Sequence, residues 1–384
     1  MSRLWRLLKS LTKLRIRLLP PRHTPVLLYF ASNSEIIAPY FSHDEFQILD
    51  LREHEVNIFV ALLCLVDRNL GAENYALRYI GLVKPKLVIT LVDNFPAFYR
   101  IKNHFPDITT ILMQNGIRSD RNDLFGDTAD EIASHENHVD YMFVFGSAIG
   151  DLYSKHIEGE ILTTGSLKNN SIPIVVNHIT AVSYISTYRS AIAESIVVRD
   201  SAPGQPTTYQ EILRRRDQVV IFLANYCKRN HITFTIIGKD EHPSREQMYY
   251  SRLLMDHSWT FIPRTTKTSS YNAVDNAEIV VFTSSTLGYE ALARGKKTAA
   301  FLIDAEKLDS QALKFGWPAE LPDDGPFWTH QLNEQRFEEI LDYLRNVSSQ
   351  DWENLRTSTI SDVINFDAGN SQFVATIKTL RAGW

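Results

Sequence analysis

The sequence is poor in cysteine, in net charge and in long apolar runs. Its 384 residues include 2 cysteines, Cys64 and Cys227, which lie in apolar or helical contexts. We therefore expect buried free thiols rather than a disulfide. The formal net charge of −5 gives no overall basic field, so we expect no nucleic-acid partner. No run approaches the roughly 18 apolar residues of a membrane-spanning helix.

Several well-known catalytic motifs are also missing. The sequence has no G-x-x-x-x-G-K-[ST], G-x-G-x-x-G, H-E-x-x-H or G-x-S-x-G pattern, which argues against a P-loop kinase, a simple dehydrogenase, a zincin and a typical serine hydrolase. The acidic segment 121–140, with His135 and His138, shows no recognisable metal-ligand spacing. We predict a solvated loop and helix there and no metal site.

The first 20 residues differ from the rest of the chain. Basic residues interleave with leucines, Trp5 is among them, and no acidic residue occurs. On a helix this pattern gives a basic amphipathic segment that suits a membrane interface. The alternative is an ordinary helix packed on the first domain with a solvated basic face. Pro20 and Pro21 end the segment.

The remaining sequence alternates short β-type runs with helical stretches. This alternation predicts parallel sheets covered on both faces. The segment 56–66 is apolar throughout and does not distinguish strand from helix. The predicted strands are Val26–Ala31, Phe46–Leu51, Lys86–Val92, Thr109–Met113, Tyr141–Phe145, Glu160–Thr164, Ile179–Ile185, Ile232–Ile237, Trp259–Pro263, Glu278–Phe282 and Thr298–Leu302.

Polar or small residues follow three predicted strands of the first half. Ligands of open α/β sheets collect outside the carboxyl ends of the strands, so we interpret these residues as one rim of a cleft. They are Asp93, Asn94, Gln114, Asn115, Gly116, Gly146 and Ser147.

The stretch Ala277–Leu302 is the strongest site candidate. A buried strand leads into Ser284, Ser285 and Thr286, which provide N-cap chemistry for a helix. A helix N-terminus binds phosphate well, and the hydroxyls add donors. Gly288 would let a ligand approach the first turn, and Glu290 lies one turn further on. The alternative is that the hydroxyls only cap the helix and Glu290 is solvated.

Two basic residues follow other strands of the second half. Lys239 comes after the strand predicted at Ile232–Ile237, and Arg264 comes after the one at Trp259–Pro263. Either side chain could pair with a phosphate. The alternative for Lys239 is an ordinary surface lysine.

The amino-acid sequence of the second half resembles that of a known family. The pattern S-S-T-x-G-x-E-A-x-x-x-G-K-K, after a strand that follows Asp275 and Asn276, is similar to the donor-binding segment of GT-B glycosyltransferases that build bacterial surface polysaccharides. The resemblance implies that Ser285, Thr286 and Gly288 face the donor phosphates and that Glu290 binds the nucleotide ribose. Related turns occur in nucleotide-sugar epimerases and polyol-phosphate polymerases of the same fold.

The first half carries a second resemblance. V-D-N before an aromatic helix, and a later strand that ends in Q-N-G-I-R, resemble the acceptor-side domain of surface-carbohydrate transferases. The likeness spans about residues 25–345 and is clearest at 86–118 and 271–302. It also implies that the backbone at Gly165 approaches the donor phosphate.

The resemblance implies two Rossmann-like domains with parallel sheets that face a central cleft. We expect a basic segment at 1–20, an acceptor-side domain at 21–166, a linker at 167–178, a donor-binding domain at 179–348 and C-terminal helices at 349–384. By analogy the last helix, near Phe373–Leu380, crosses back onto the first domain.

The expected activity is glycosyl transfer from a nucleotide sugar to a surface glycan such as capsule or lipopolysaccharide, inverting and without a metal. Asp93 is our candidate base, with a helix-capping role as its alternative and His104 and Glu290 as weaker candidates. We expect a lipid-linked acceptor, membrane contact through residues 1–20 and a peripheral position at the cytoplasmic membrane face. The nucleotide sugar is a substrate, so no cofactor is expected. Alternatives are a polyol-phosphate transferase, a nucleotide-sugar epimerase and a non-catalytic glycan-assembly module.

Overall fold

A computed structural model describes residues 15–51, 55–121, 124–126, 129, 136–177 and 179–384. The predicted amphipathic segment therefore lies outside the described residues up to residue 14, as does His135 in the acidic segment. Within the described ranges, no helix has the length and apolarity that crossing a membrane requires.

Strands alternate with helices along the chain and form two large sheets and one small one. In chain order the strands are β1 Arg15–Arg17, β2 Val26–Leu28, β3 Phe46–Ile48, β4 Glu55–Asn57, β5 Leu87–Thr90, β6 Thr109–Met113, β7 His138–Val144, β8 Glu158–Thr163, β9 Thr180–Ile185, β10 Phe234–Ile237, β11 Thr260–Ile262, β12 Ala277–Phe282, β13 Lys297–Phe301, β14 Asp324–Gly325 and β15 Trp328–Thr329.

The helices run between these strands and after the last one. They are α1 Ser34–Ile37, α2 Ile58–Val66, α3 Ala72–Val83, α4 Ile101–His104, α5 Ser147–Ser154, α6 Leu167–Asn170, α7 Tyr209–Arg229, α8 Pro243–Leu253, α9 Ser269–Asp275, α10 Thr286–Ala293, α11 Glu334–Asn346, α12 Ser349–Ile360 and α13 Ser371–Ala382. Short 3₁₀ turns include Pro96–Arg100 and Gln311–Leu313.

The first large sheet has six parallel strands in the order β3-β2-β5-β6-β7-β8. Every residue of β2 and β5 is buried, which is typical of strands that are covered on both faces of the sheet. The strand order has its switch point between β2 and β5, since β3 lies on one side of β2 and the later strands lie on the other. Ligands bind in the crevices at such switch points. Beside this sheet, β1 and β4 form a separate two-stranded parallel pair.

The second large sheet has the order β11-β10-β9-β12-β13-β15-β14. Its strands are parallel except for β14, which pairs antiparallel with β15. The switch point falls between β9 and β12, and β12 is the strand that leads into the hydroxyl-rich turn. Both sheets therefore present a switch point where a ligand site is expected.

The C-terminal residues return to the first sheet. Gly165 and Phe366 form an antiparallel bridge, and α13 places the Phe373 ring 5.0 Å from Tyr40 and 5.5 Å from Phe143. The buried side of α13 thus belongs to the same core as β2 and β5.

The α/β class with two Rossmann-like sheets is confirmed, and two local expectations are settled by the structure. Residues 15–17, predicted as part of a helix, form β1 because they pair with β4. The apolar run 56–66 contains the end of β4, at Asn57, and all of α2. The helix begins there because the Asn57 side chain accepts a hydrogen bond from the Val60 N–H at 3.2 Å and caps it.

Candidate functional site

A cleft of ≈ 330 Å³ is lined by residues of both halves of the chain. Ile117, Arg118 and Ser119, which follow β6, face it from the first half. From the second half it is lined by Lys239, after β10, and by the segment 283–286 at the start of α10. The cleft thus joins the two strand-end regions that the sequence indicates.

The start of α10 provides hydroxyl groups at the positive end of the helix dipole. Ser284, Ser285 and Thr286 are half-buried and line the cleft. The Ser285 hydroxyl caps the helix by accepting a hydrogen bond from the Leu287 N–H at 3.2 Å. The same oxygen accepts a hydrogen bond from Lys239 Nζ at 2.6 Å. A cation therefore lies at the positive end of the helix, where an anion would bind.

Lys239 is the most perturbed cation of this region. The pKa of its ammonium is lowered to about 8, chiefly by burial and next by the positive charges of Arg189, Lys168 and Arg264, against the raising effect of Glu290. Arg264 lies close by, since its Nη1 donates a hydrogen bond to the Lys239 carbonyl at 3.2 Å. An excess of cations around a helix N-terminus is the electrostatic signature of a phosphate site.

The predicted rim of the first half meets the helix start. A Cβ built on Gly116 would lie 3.7 Å from Thr286 Oγ1. Gln114 shapes this loop: its Nε2 donates to the Gly116 carbonyl at 3.0 Å and its Oε1 accepts from the Phe145 N–H at 2.8 Å. Asn115 is exposed at the tip of the turn. The two hydrogen bonds of Gln114 explain its presence as a residue that shapes the loop. Substrate contact by Asn115 and Gly116 stays a prediction.

Asp93 occupies the predicted strand end but does not face the cleft, which corrects our expectation. Its side chain is fully buried. Arg118 forms an ion pair with the carboxylate and donates from Nε to Oδ2 at 2.7 Å, and the Tyr153 hydroxyl donates to the same oxygen at 2.7 Å. An acceptor hydroxyl cannot reach a carboxylate enclosed in this way. The neighbouring Asn94 is exposed.

Arg118 is a candidate functional residue that the sequence prediction did not include. It is the last residue of the quoted Q-N-G-I-R motif, and the structure places it on the cleft wall. Its side chain is 15% exposed, so the guanidinium is held by Asp93 and still borders the cleft. The signal for its role was a basic residue just beyond a strand end, the same signal that indicated Lys239.

Glu290 is not among the residues that line the cleft. Its carboxylate is buried and accepts hydrogen bonds from the Ser166 hydroxyl at 2.6 Å and the Tyr271 hydroxyl at 2.9 Å. Ser166 comes from the first half, so Glu290 joins the two halves at the linker. The ribose contact of Glu290 therefore stays a prediction.

The two predicted site glycines are explained by packing instead. A Cβ on Gly288 would lie 2.2 Å from the Phe282 ring, inside the core between α10 and β12. Gly165 has φ +81°, and a Cβ there would lie 2.0 Å from the Asn365 carbonyl oxygen. Gly288 therefore allows close helix–strand contact and Gly165 close contact with the C-terminal crossing segment, and the approach of a ligand to either residue stays a prediction.

A larger cavity of ≈ 560 Å³ continues from the cleft into the second half. Side chains of both charge signs border it: the basic ones are Arg189, Arg216, Lys239 and Arg264, and the acidic ones are Asp200, Asp240, Glu241 and Asp304. Much of its wall comes from the irregular segment 187–206, which connects β9 to α7. Within the described part of the chain, no group of three or more His, Cys, Asp or Glu side chains is placed to hold a metal ion.

Solved structures share this architecture along nearly the whole chain. Methanocaldococcus jannaschii UDP-GlcNAc 2-epimerase, in complex with UDP-GlcNAc and UDP, is 13% identical with a TM-score of 0.51, covering 92% of this chain and 99% of its own. The wall teichoic acid polymerase TagF (H548A) is 9% identical with a TM-score of 0.53, covering 95% and 90%. S. aureus MnaA with UDP is 11% identical with a TM-score of 0.53, covering 94% and 97%. At these identities the likeness shows the GT-B fold alone.

Sequence comparison defines the family. No curated protein sequence matches the chain. A family model described as "putative O-antigen biosynthesis protein" matches residues 111–381, which is more than half of the chain and includes Arg118, Lys239 and all of α10. The chain therefore belongs to this family of proteins of surface-glycan biosynthesis.

Proposed function

We propose that the protein is a glycosyltransferase that moves a sugar from a nucleotide-activated donor to a surface-glycan acceptor, with inversion and without a metal. We further propose a lipid-linked acceptor and a peripheral position at the cytoplasmic face of the membrane. The family membership supports a role in glycan biosynthesis, and the relatives that hold UDP or UDP-GlcNAc support a nucleotide-sugar partner.

One observation carries the proposal: cations from both halves of the chain converge on the N-terminus of α10. Lys239 bonds directly to the capping Ser285, and Arg118 borders the same cleft from the other half. A donor phosphate bound there would meet backbone N–H groups, hydroxyls and cations. These groups also stabilise the negative charge that develops when the bond between the sugar and the phosphate breaks.

The chemistry requires a base as well as a charged site for the leaving group. The acceptor hydroxyl attacks the anomeric carbon, its proton passes to the base, and the nucleotide leaves with the bonding electron pair. Among the described residues that line the cleft, Asp200 and Asp304 carry carboxylates, and Asp304 is buried in an ion pair with Arg216. We therefore move the proposed base from the enclosed Asp93 to Asp200, which is half-buried on the cleft wall.

The first experiment is thermal stabilisation of the full-length protein by UDP, GDP, CMP, CDP and dTDP side by side. A nucleotide at about 100 times its dissociation constant adds roughly 2.7 kcal/mol of stability, which is a measurable shift in Tm. We expect one nucleotide to stabilise the protein most, Lys239→Met to reduce that shift, and Lys155→Met, at an exposed lysine, to leave it unchanged.

The alternatives predict different results with the same protein. An epimerase converts the nucleotide sugar alone, so a new epimer in the NMR spectrum without any acceptor would overturn the proposal. A preference for CDP over the other nucleotides would favour a polyol-phosphate transferase. Failure of all five nucleotides at millimolar concentration would favour a non-catalytic module.

A further inference from the structure

The helix α2 is apolar along its whole length, yet the fold buries only one side of it. Its nine residues, IFVALLCLV, are all apolar. Val60 and Cys64, which are four residues apart, face the core. Phe59, Leu62 and Leu65 repeat every three residues on another side and are exposed. A surface helix normally carries polar residues on that side, so this face calls for an explanation.

The apolar surface continues beyond α2. Val66 and Leu70, at and after the end of the helix, are 80% and 70% exposed. Leu18 and Leu19, which follow β1, are also exposed, and the Asn57 side chain donates to the Leu19 carbonyl at 2.8 Å beside the start of α2. We call the exposed side chains of Ile16, Leu18, Leu19, Phe59, Leu62, Leu65, Val66 and Leu70 the apolar face.

The charges around the apolar face are predominantly positive. In the described part of the chain, Glu55 and Asp67 lie beside it, and each is paired with an arginine: Glu55 with Arg17 at 3.3 Å and Asp67 with Arg78 at 2.5 Å. Arg15 and Arg68 are exposed at its border. In the sequence, the preceding residues 1–14 add further basic residues and no acidic one. An apolar centre with a basic border complements a bilayer that contains anionic lipids.

The topology places one end of the apolar face near the substrate cleft. The helix α3 leads into β5, so its C-terminus lies at the start of the strand and its N-terminus lies towards the carboxyl edge of the sheet. Glu73, in the first turn of α3, pairs with Arg100 at 2.9 Å, and Arg100 ends the turn that follows Asp93 and Asn94. Leu70 comes just before that first turn, so it lies towards the edge of the sheet from which the cleft opens.

We propose that the apolar face docks on the surface of an anionic bilayer and holds the first sheet's cleft edge towards the membrane. A helix of nine residues is about 14 Å long, too short to cross a bilayer but long enough to lie in its interface. This inference deepens the peripheral membrane position of the proposed function and rests on it, although docking itself requires neither donor nor catalysis. It extends membrane contact from the segment 1–20 to α2 and the residues that follow α2.

The test is flotation or co-sedimentation of the full-length protein with phosphatidylcholine vesicles, with and without about a third of phosphatidylglycerol. We expect binding to the anionic vesicles that weakens as salt is raised. Combining Leu62→Gln, Leu65→Gln and Val66→Gln should weaken that binding by at least about tenfold. These side chains are exposed, so the variant should keep the wild-type Tm. Met255→Gln, at an 80% exposed methionine in the second half, is the matched control and should bind as wild type.

Three results would overturn the inference. The triple variant could bind vesicles as tightly as wild type. Alternatively, the wild type could fail to bind vesicles while the triple variant has a lower Tm than the wild type. That result would mean that residues 1–14 cover the face. The triple variant could instead change the oligomeric state in size-exclusion chromatography without vesicle binding, which would mean that a second copy covers it. None of these measurements depends on nucleotide binding, so the inference and the proposed function can fail separately.

Discussion

Arg118 and Asp93 form a pair whose structural and functional roles can be separated. The carboxylate is fully buried, so removing the arginine leaves an unpaired charge, which typically costs about 3–5 kcal/mol. We predict that Arg118→Gln lowers both stability and turnover, the latter by about 10²-fold or more if Arg118 stabilises the leaving phosphate. The double variant Asp93→Asn, Arg118→Gln should regain much of the stability, measured by urea unfolding, but none of the turnover. Recovery of turnover in the double variant would mean that Arg118 acts only structurally.

The lowered pKa of Lys239 predicts that nucleotide binding is coupled to proton uptake. Its pKa is about 8 in the folded, ligand-free protein, against about 10.4 for an unperturbed lysine. Folding therefore disfavours the charged form: this lysine destabilises the fold most below pH 8, and the penalty disappears as the pH rises towards the unfolded value. A phosphate beside it should raise its pKa again, so nucleotide binding at about pH 8.5 should take up a proton. Calorimetry in two buffers of different ionisation enthalpy should show different heats for wild type and equal heats for Lys239→Met. Equal heats for the wild type would contradict the phosphate contact.

At the scale of the element, the packing of α10 on β12 predicts that Gly288 tolerates no side chain. Because a Cβ would lie 2.2 Å from the Phe282 ring, Gly288→Ala should destabilise the protein by about 1–3 kcal/mol. Gly81→Ala is the matched control, since Gly81 lies within α3 and its added Cβ would make an ordinary contact of 3.7 Å with Phe105. That variant should be neutral or gain up to about 1 kcal/mol. Thermal unfolding of the two variants measures both effects. If Gly288→Ala is as stable as the wild type, packing does not explain the glycine, and ligand contact becomes the better explanation for it.

Elements with local signals were predictable, and orientations set by distant residues were not. The start of α7 carries such a local signal, because Thr208 and Glu211 form a capping box that is readable in the sequence. The apolar run 56–66 was ambiguous because its strand–helix boundary rests on one cap, Asn57. Asp93 was placed correctly at a strand end, but its partners lie 25 and 60 residues further along the chain. No local pattern could show that those partners enclose its carboxylate.

At the scale of the whole molecule, the two halves are tied together at the linker by a buried network. Arg294 forms a fully buried ion pair with Asp275 and also donates to the carbonyls of Asn169 and Ile172 at 3.3 and 3.0 Å. Glu290 adds its bond to Ser166 in the same region. Buried, multiply bonded charges of this kind are costly to separate, so we expect the linker region to remain closed while other contacts between the halves open.

A second set of contacts crosses from the loop after Arg118 to the segment 309–312. The Asp120 carboxylate accepts hydrogen bonds from the Ser310 hydroxyl and from the backbone N–H groups of Gln311 and Ala312. Arg121 adds a bond to the Asp309 carboxylate at 2.8 Å. Burial alone would raise the pKa of Asp120, but these hydrogen bonds outweigh it and lower the pKa. The contribution of Asp120 to the bridge is therefore present above the ordinary aspartate range near pH 4 and is lost as the pH falls through the lowered value.

This bridge should hold a bound nucleotide in the cleft, because Ser119 and Ser310 line the same cavity as the start of α10. We predict that Asp120→Ala speeds nucleotide release by about tenfold, in line with typical effects of residues that close a site on dissociation rates. Some loss of Tm is expected as well, because the variant loses the three hydrogen bonds that Asp120 accepts. Asp151→Ala, at an exposed aspartate of α5, is the control. Stopped-flow displacement of the stabilising nucleotide measures both rates, and equal release from Asp120→Ala and wild type would show that the bridge joins the halves without gating the cleft.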